Sequence, residues 1–345
     1  MRVLFVSDYL HLPDIRGGLQ TATHDLCLAM SLAGAEVAVM CGLDAPAGSD
    51  AGTSGARSDS DLGYLCMRVA RPMQALALVA SAWDASAIVV QSCTALAPMV
   101  LASLKTGRPT TVYLHNVETY RVEGNLTPHP SLLYLANSEF TAQRWAALYG
   151  LGCEVIPPVI RAEAYLAERT GTNVLFVNPA PIKGVELMFA LAAHCPDVSF
   201  LVVESWSLEA NWLGLCRHRA QALGNVQWLA PVDDMRPVFA QTSLLLMPSV
   251  WEESFGRMVV EAQLNGIPVL ASTRGELPQN VGSGGLTVDV HAPVEAWAAA
   301  LRHLLAQRAA FSSVARVKGL GHAAATPLIV AKLLGLLVEH AARQA

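Results

Sequence analysis

The chain has 345 residues, of which 53% are hydrophobic and 15% charged, with a formal net charge of −5 at pH 7. That balance excludes a disordered protein, and the length predicts two domains. It also argues against nucleic acid as a partner, because neutralising phosphates takes clustered Lys and Arg. No uninterrupted apolar run reaches the roughly 18–20 residues of a membrane span. The opening apolar run, Val3–Val6, is too short for a signal peptide and is followed by Asp8. The cysteines Cys27, Cys41, Cys66, Cys93, Cys153, Cys195 and Cys216 are odd in number, with no C-x2-C spacing. A reducing cytoplasm is expected, with neither a disulfide framework nor a zinc site. Lysines are scarce, at 105, 183, 318 and 332 only.

In chain order, Arg2–Ser7 reads as a buried strand, followed by a loop carrying Gly17-Gly18. Leu19, Ala22, Leu26, Met30 and Ala33 then mark one helix face, stopped by Gly34. Further strands are expected at Glu36–Cys41, Tyr64–Arg68, Ala87–Val90, Thr110–Leu114, Leu132–Ala136 and Glu154–Ile156. Asp44–Leu62, rich in Gly, Ala, Ser and Asp, is expected to be a mobile surface loop. It contains Asp59-Ser60-Asp61, a D-x-D pattern that could hold a metal, but its setting points instead to a solvated loop. Pro157-Pro158 can continue neither a helix nor a central strand. Strands resume at Asn173–Val177, Phe200–Glu204, Val226–Leu229, Leu244–Met247, Val269–Ser272 and Leu286–Val288. Strands alternating with helical stretches predict parallel sheets with crossover helices. The class is therefore α/β with two Rossmann-like halves: 1–160, 170–325, and a terminal helix at 326–345 packing back toward the first half. That helix is expected to present Leu328, Ala331, Leu334, Leu337 and Val338 on its packed side.

Ligands of open parallel sheets bind beyond the carboxyl ends of strands, so the residues after each strand carry the functional reading. Gly17-Gly18 opens a helix where backbone amides can approach an anion. His115 follows the Thr110–Leu114 strand, where it can hydrogen-bond or act as acid or base, or simply pack. Asn178-Pro179-Ala180-Pro181-Ile182-Lys183-Gly184 puts one of the few lysines at a helix start, as a diphosphate needs. The nicotinamide fingerprint G-x-G-x-x-G is absent. The most specific segment runs from Pro248 to Ala262. Glu253 falls in the loop before a helix and Glu261 inside it, with the Phe255, Gly256 and Arg257 amides at the helix start. Carboxylates so placed can accept hydroxyls from a nucleotide sugar, or serve as a helix-dipole acid and an acid on a wet face.

Pro248-Ser249, Glu253-Ser254-Phe255-Gly256, Glu261-Ala262, Gly266-Ile267-Pro268-Val269 and Gly275-Glu276-Leu277-Pro278 together resemble the E-x7-E element of retaining glycosyltransferases of family 4. Those enzymes have the GT-B fold, two Rossmann-like domains facing across a cleft. The resemblance extends to Gly17-Gly18, His115, Ser138, Ile156-Pro157 and Lys183-Gly184. It implies transfer of a sugar from a nucleotide-diphosphate donor with retention, without a metal or other cofactor. It assigns Lys183 to the diphosphate, Glu253 to donor-sugar hydroxyls, and Ser254 and the Phe255, Gly256 and Arg257 backbone to the same region. Glu261 would bind the ribose and the backbone near Val232 the base. Gly17 and Gly18 would border phosphates and acceptor, and His115 the transferring sugar. Glu253, His115 and Lys183 would be the catalytic set.

One departure stands out. The family has Gly-Arg before the lysine, and here Asn178-Pro179 occupies a segment one residue shorter, which removes a bidentate cation. Arg16 or Arg257 could compensate, or Asn178 could donate a weaker bond. Besides a cytoplasmic transferase with a soluble or peripheral acceptor, two alternatives remain. One is a non-catalytic sugar-nucleotide or partner-binding protein, the other a GT-B sugar-nucleotide epimerase. Without a lysine-rich cluster, membrane association is not favoured.

Overall fold

The computed structural model describes residues 1–43, 56–168, 170–205 and 208–344. Two compact units share the chain: Met1–Val159 with Thr326–Ala345, and Ile160–Ala325.

The first unit is built on β1 (Arg2–Val6), α1 (Gly18–Leu32), β2 (Glu36–Gly42), β3 (Ala56–Asp59), β4 (Leu65–Val69), α2 (Pro72–Ala82) and β5 (Ala87–Gln91). It continues with α3 (Leu96–Leu104), β6 (Thr110–Leu114), β7 (Leu132–Ala136), α4 (Glu139–Tyr149) and β8 (Cys153–Val155). The sheet order is β3-β4-β2-β1-β5-β6-β7-β8, parallel throughout except for β3. Unbroken apolar strands such as Val3–Val6 and Ile88–Val90 are fully buried, as expected where helices cover both faces. On α1, Ala22, Leu26 and Met30 are buried, but Ala33 is exposed because it caps the helix rather than extending its face.

The expected loop Asp44–Leu62 needs correction. Residues 44–55 lie outside the described residues, while Ala56–Asp59 forms β3, antiparallel to β4. Asp59 is no solvated loop acid. It joins Asp14 around Arg68, whose Nε donates to Asp14 at 2.9 Å and whose Nη2 donates to the Leu12 carbonyl at 2.5 Å; Nη1 donates to Asp59. Arg68 is wholly buried, and this network ties the loop after β1 to β3 and β4.

The second unit contains α5 (Ala162–Tyr165), β9 (Asn173–Val177), α6 (Val185–His194), β10 (Phe200–Val203), α7 (Ala210–Leu223), β11 (Val226–Leu229) and α8 (Arg236–Ala240). It continues with β12 (Thr242–Met247), α9 (Arg257–Leu264), β13 (Val269–Ser272), α10 (Leu277–Val281), β14 (Gly285–Val288), α11 (Val294–Ala306) and α12 (Arg308–Ala324). Its six strands are all parallel, in the order β11-β10-β9-β12-β13-β14. β9 and β12 are neighbours at the centre although 64 residues of chain separate them, so the loops leaving their carboxyl ends lie side by side. Phe176, Phe200 and Trp297 fill one face of this sheet, and Phe239, Val259 and Leu277 the other.

The chain then returns to the first unit as α13 (Thr326–Gln344). The buried side is Ile329, Val330, Leu333, Leu337 and His340, while Leu328 and Val338 are exposed. The expected face is therefore rotated. Two long-range bonds settle it: His340 Nε2 donates to the Thr110 carbonyl at 3.0 Å, and Lys332 Nζ to the Val155 carbonyl at 3.1 Å. By length and composition alone, the helical stretch Arg308–Gln344 could cross a membrane. Its best 18-residue window has mean hydropathy 1.6 and is 22% buried.

Candidate functional site

In the second unit the loops after β9 and β12 are bound together. The Val250 and Trp251 amides donate to the Ile182 carbonyl at 3.0 and 3.1 Å. Gly184 has φ +81°, and a Cβ there would strike the Pro248 carbonyl. The contact places Lys183 against the acid of the second loop: Lys183 Nζ donates to Glu253 Oε1 at 2.6 Å. Ser249 Oγ donates to the same oxygen at 2.6 Å. Both side chains of the ion pair are largely buried, 17% exposed for Lys183 and 11% for Glu253.

The Glu253 backbone is held as closely. Its carbonyl accepts from the Glu276 amide at 2.8 Å, and Gly275, at φ +62°, comes so near that a Cβ would overlap the Glu253 peptide. Gly275 thus meets two demands that only glycine satisfies, a left-handed conformation and direct contact with backbone. α9 starts at Arg257 with Gly256 as its cap and no side-chain cap, leaving its first amides to other partners. Ser254 is half-buried and Phe255 buried, its ring 5.7 Å from that of His322.

Glu261 is buried, which removes the reading as an acid on a wet face. Arg257, one turn earlier, donates from Nε to Glu261 Oε1 at 2.9 Å and from Nη2 to the Tyr165 hydroxyl at 2.8 Å. Arg257 is therefore engaged, and does not stand as a spare cation for the missing arginine. Tyr165 was not singled out by sequence, and no local signal could have found it, since it lies 92 residues from its partner. Asn178 follows β9 at φ +69°, a region where asparagine is the best tolerated residue after glycine. It is buried, and its Oδ1 has no hydrogen-bond partner. Val232 is half-buried after β11, against the core beside Leu229.

The first unit holds the other expected residues. Gly17 caps α1 in an extended conformation, and a Cβ on Gly18 would meet open space. Neither glycine is needed for a left-handed turn. Arg16 is exposed beside them. His115 follows β6, with its amide donating to Ser92 Oγ at 3.2 Å and its carbonyl accepting from Asn137 Nδ2 at 3.1 Å. Its ring lies 4.0 Å from that of Tyr113, and Nε2 is buried without a partner. Burial lowers its pKa to about 3, so the ring is neutral at neutral pH. A neutral imidazole can give or take one hydrogen bond but is a weak base. Ser138, which ends the loop after β7, is the N-cap of α4, accepting from the Thr141 amide at 3.0 Å. Among the described residues no group of three or more His, Cys, Asp or Glu side chains could hold a metal ion.

Comparison with solved structures gives the class. The chain aligns over 98% of its length with 98% of a glycosyltransferase from Rickettsia africae ESF-5, TM-score 0.76 and 13% identity. It aligns over 97% of its length with 99% of Anabaena HepE in complex with UDP-glucose, TM-score 0.75 and 18% identity. The fold is GT-B, with two Rossmann-like α/β domains. Residues 173–307, within the second unit, match the family described as "Glycosyl transferases group 1". Curated relatives are D-inositol 3-phosphate glycosyltransferases. One from Corynebacterium kroppenstedtii is 41% identical over 83 residues, 23% of this chain and 18% of the relative. One from Mycobacterium tuberculosis (strain ATCC 25177 / H37Ra) is 38% identical over 134 residues, 36% of this chain and 27% of the relative. The match thus spans only about a quarter or less of those relatives.

Proposed function

We propose that the protein is a retaining glycosyltransferase that moves a sugar from a nucleotide-diphosphate donor to a soluble or peripheral acceptor, without a metal, in the cytoplasm. The observation that carries this reading is the Lys183–Glu253 pair. A cation and a carboxylate meet at 2.6 Å beyond the carboxyl ends of two central strands, inside the segment matching the glycosyltransferase family. Lys183 has the charge to hold a diphosphate and to stabilise it as it leaves. Glu253 has the acceptors for donor-sugar hydroxyls, and Glu261, fixed by Arg257, those for the ribose. Gly17, Gly18 and His115 would border the acceptor and the transferring sugar. His115 would serve there as a neutral hydrogen-bonding group. The relatives named for an inositol phosphate make a phosphorylated polyol the first acceptor to try.

The test is a panel of UDP-, GDP- and dTDP-sugars, read by calorimetry and by release of the nucleotide, with and without EDTA. Donor-dependent release insensitive to EDTA is expected. Failure to bind any donor at millimolar concentration would refute the reading. A second reading rests on Asn178-Pro179, which leaves the phosphate loop without the arginine the family carries: a protein that binds the donor without turning it over. Binding with no turnover on any acceptor would favour it.

A further inference from the structure

Glu253 is gripped on one side only. Lys183 Nζ and Ser249 Oγ both donate to Oε1, each at 2.6 Å, while Oε2 takes no hydrogen bond among the described residues. The two donors differ in kind. A lysine ammonium sits on a flexible four-carbon stem and follows charge. A diphosphate offers it more negative charge than one carboxylate, so a bound donor draws Lys183 away or shares it. Ser249 has no such freedom. It is 1% exposed, its carbonyl accepts from Ser272 Oγ at 2.7 Å, and the next amide, on Val250, is pinned to the Ile182 carbonyl at 3.0 Å. Its hydroxyl carries a single proton, and that proton goes to Glu253.

We propose that Ser249 is a positioning residue that holds Glu253 by Oε1 and leaves Oε2 as the oxygen offered to a hydroxyl of the donor sugar. The role rests on the donor reading above. It assigns the two carboxylate oxygens different work: Oε1 belongs to the protein and Oε2 to the substrate. While the donor is absent, Lys183 and Ser249 hold the carboxylate together; once the diphosphate takes the lysine, Ser249 alone keeps its orientation.

The variants Ser249→Ala and Ser249→Thr test it, each assayed for calorimetric affinity toward UDP and for UDP release from UDP-glucose. UDP lacks the sugar and reports that the phosphate and base regions remain intact. Hydrogen bonds to charged groups are among the stronger ones, so Ser249→Ala is expected to slow UDP release roughly 10- to 100-fold, mainly in kcat, with UDP affinity kept within about threefold. Ser249→Thr, which keeps the hydroxyl, is expected within about fivefold of the parent. UDP release within twofold of the parent in Ser249→Ala, or loss of UDP affinity in proportion to it, overturns the role of Ser249. A parent that binds none of the UDP-, GDP- and dTDP-sugars at millimolar concentration refutes the donor reading itself, and this proposal with it.

Discussion

Gly275→Ala is the substitution for which the site geometry predicts most. The residue sits at φ +62°, and the added Cβ would fall well inside 3.0 Å of the Glu253 carbonyl oxygen and amide nitrogen. The left-handed conformation costs a residue with a Cβ roughly 1–2 kcal/mol. Relieving the overlap moves the Glu253 peptide by about 1 Å, which strains or breaks the 2.8 Å bond from the Glu276 amide. Losing that bond adds about 0.5–1.5 kcal/mol. The sum is about 1.5–3.5 kcal/mol, which for a unit of this size lowers its melting midpoint by roughly 3–14 °C. The functional effect is larger than the stability effect, because a misplacement of ~1 Å at a reacting group can cost about 100-fold. Differential scanning calorimetry and UDP release from the best donor measure the two. A variant that melts within 1 °C of the parent and releases UDP within threefold would show that the Gly275–Glu253 contact does not hold the site.

Lys183→Met should leave Glu253 with Ser249 alone and reduce donor turnover about 100-fold or more, with far-UV circular dichroism unchanged. Turnover within tenfold would remove Lys183 from the catalytic set. His11 and His115 are both buried in the first unit, and burial lowers them to about 4 and about 3, His24 and Arg68 adding to the effect on His11. Their folded pKa lies below the unfolded value near 6.5, so the stability they confer is complete above pH 6.5 and is lost as pH falls toward those values. Between pH 6.5 and 5 each contributes at most about 2 kcal/mol of loss, and His115→Gln should flatten the first unit's melting curve against pH over that range. An unchanged slope would contradict the burial argument. Arg68→Met strands Asp14 and Asp59, each about a quarter exposed, and should destabilise the first unit by roughly 1–3 kcal/mol in chemical denaturation. Removing Asp59 together with Arg68 should recover part of that loss, and a purely additive double variant would deny the network.

Strand content was legible wherever both faces of a strand are buried, because the apolar run then announces itself, as in Val3–Val6 and Leu244–Met247. β3 was illegible for the opposite reason. Ala56-Arg57-Ser58-Asp59 is an edge strand with a polar sequence, held by its pairing with β4 and by Arg68, neither of which a local pattern shows. The face of α13 was misread because Leu328 and Val338 are apolar yet exposed; its true side is decided by long-range partners at Thr110 and Val155. At the candidate site, the positions of Lys183, Glu253 and Glu261 relative to strand ends were legible from spacing. That Arg257 is consumed by Glu261 and Tyr165 was not, since spacing cannot tell an available cation from one already paired.

The division of the chain between the two units has a consequence for synthesis. The second unit is contiguous, Ile160–Ala325, whereas the first waits for Thr326–Ala345 to close over it. With translation at roughly 5–20 residues per second, the strands of the first unit emerge some 10–40 s before the helix that covers them. During that interval the surface that will receive Ile329, Leu333 and Leu337 is open to solvent and to other chains. The second unit, though made later, can finish folding first. A chain truncated just before Thr326 should therefore carry a protease-resistant second half attached to a protease-sensitive first half, because the helix Thr326–Gln344 fastens a sheet made before the second unit.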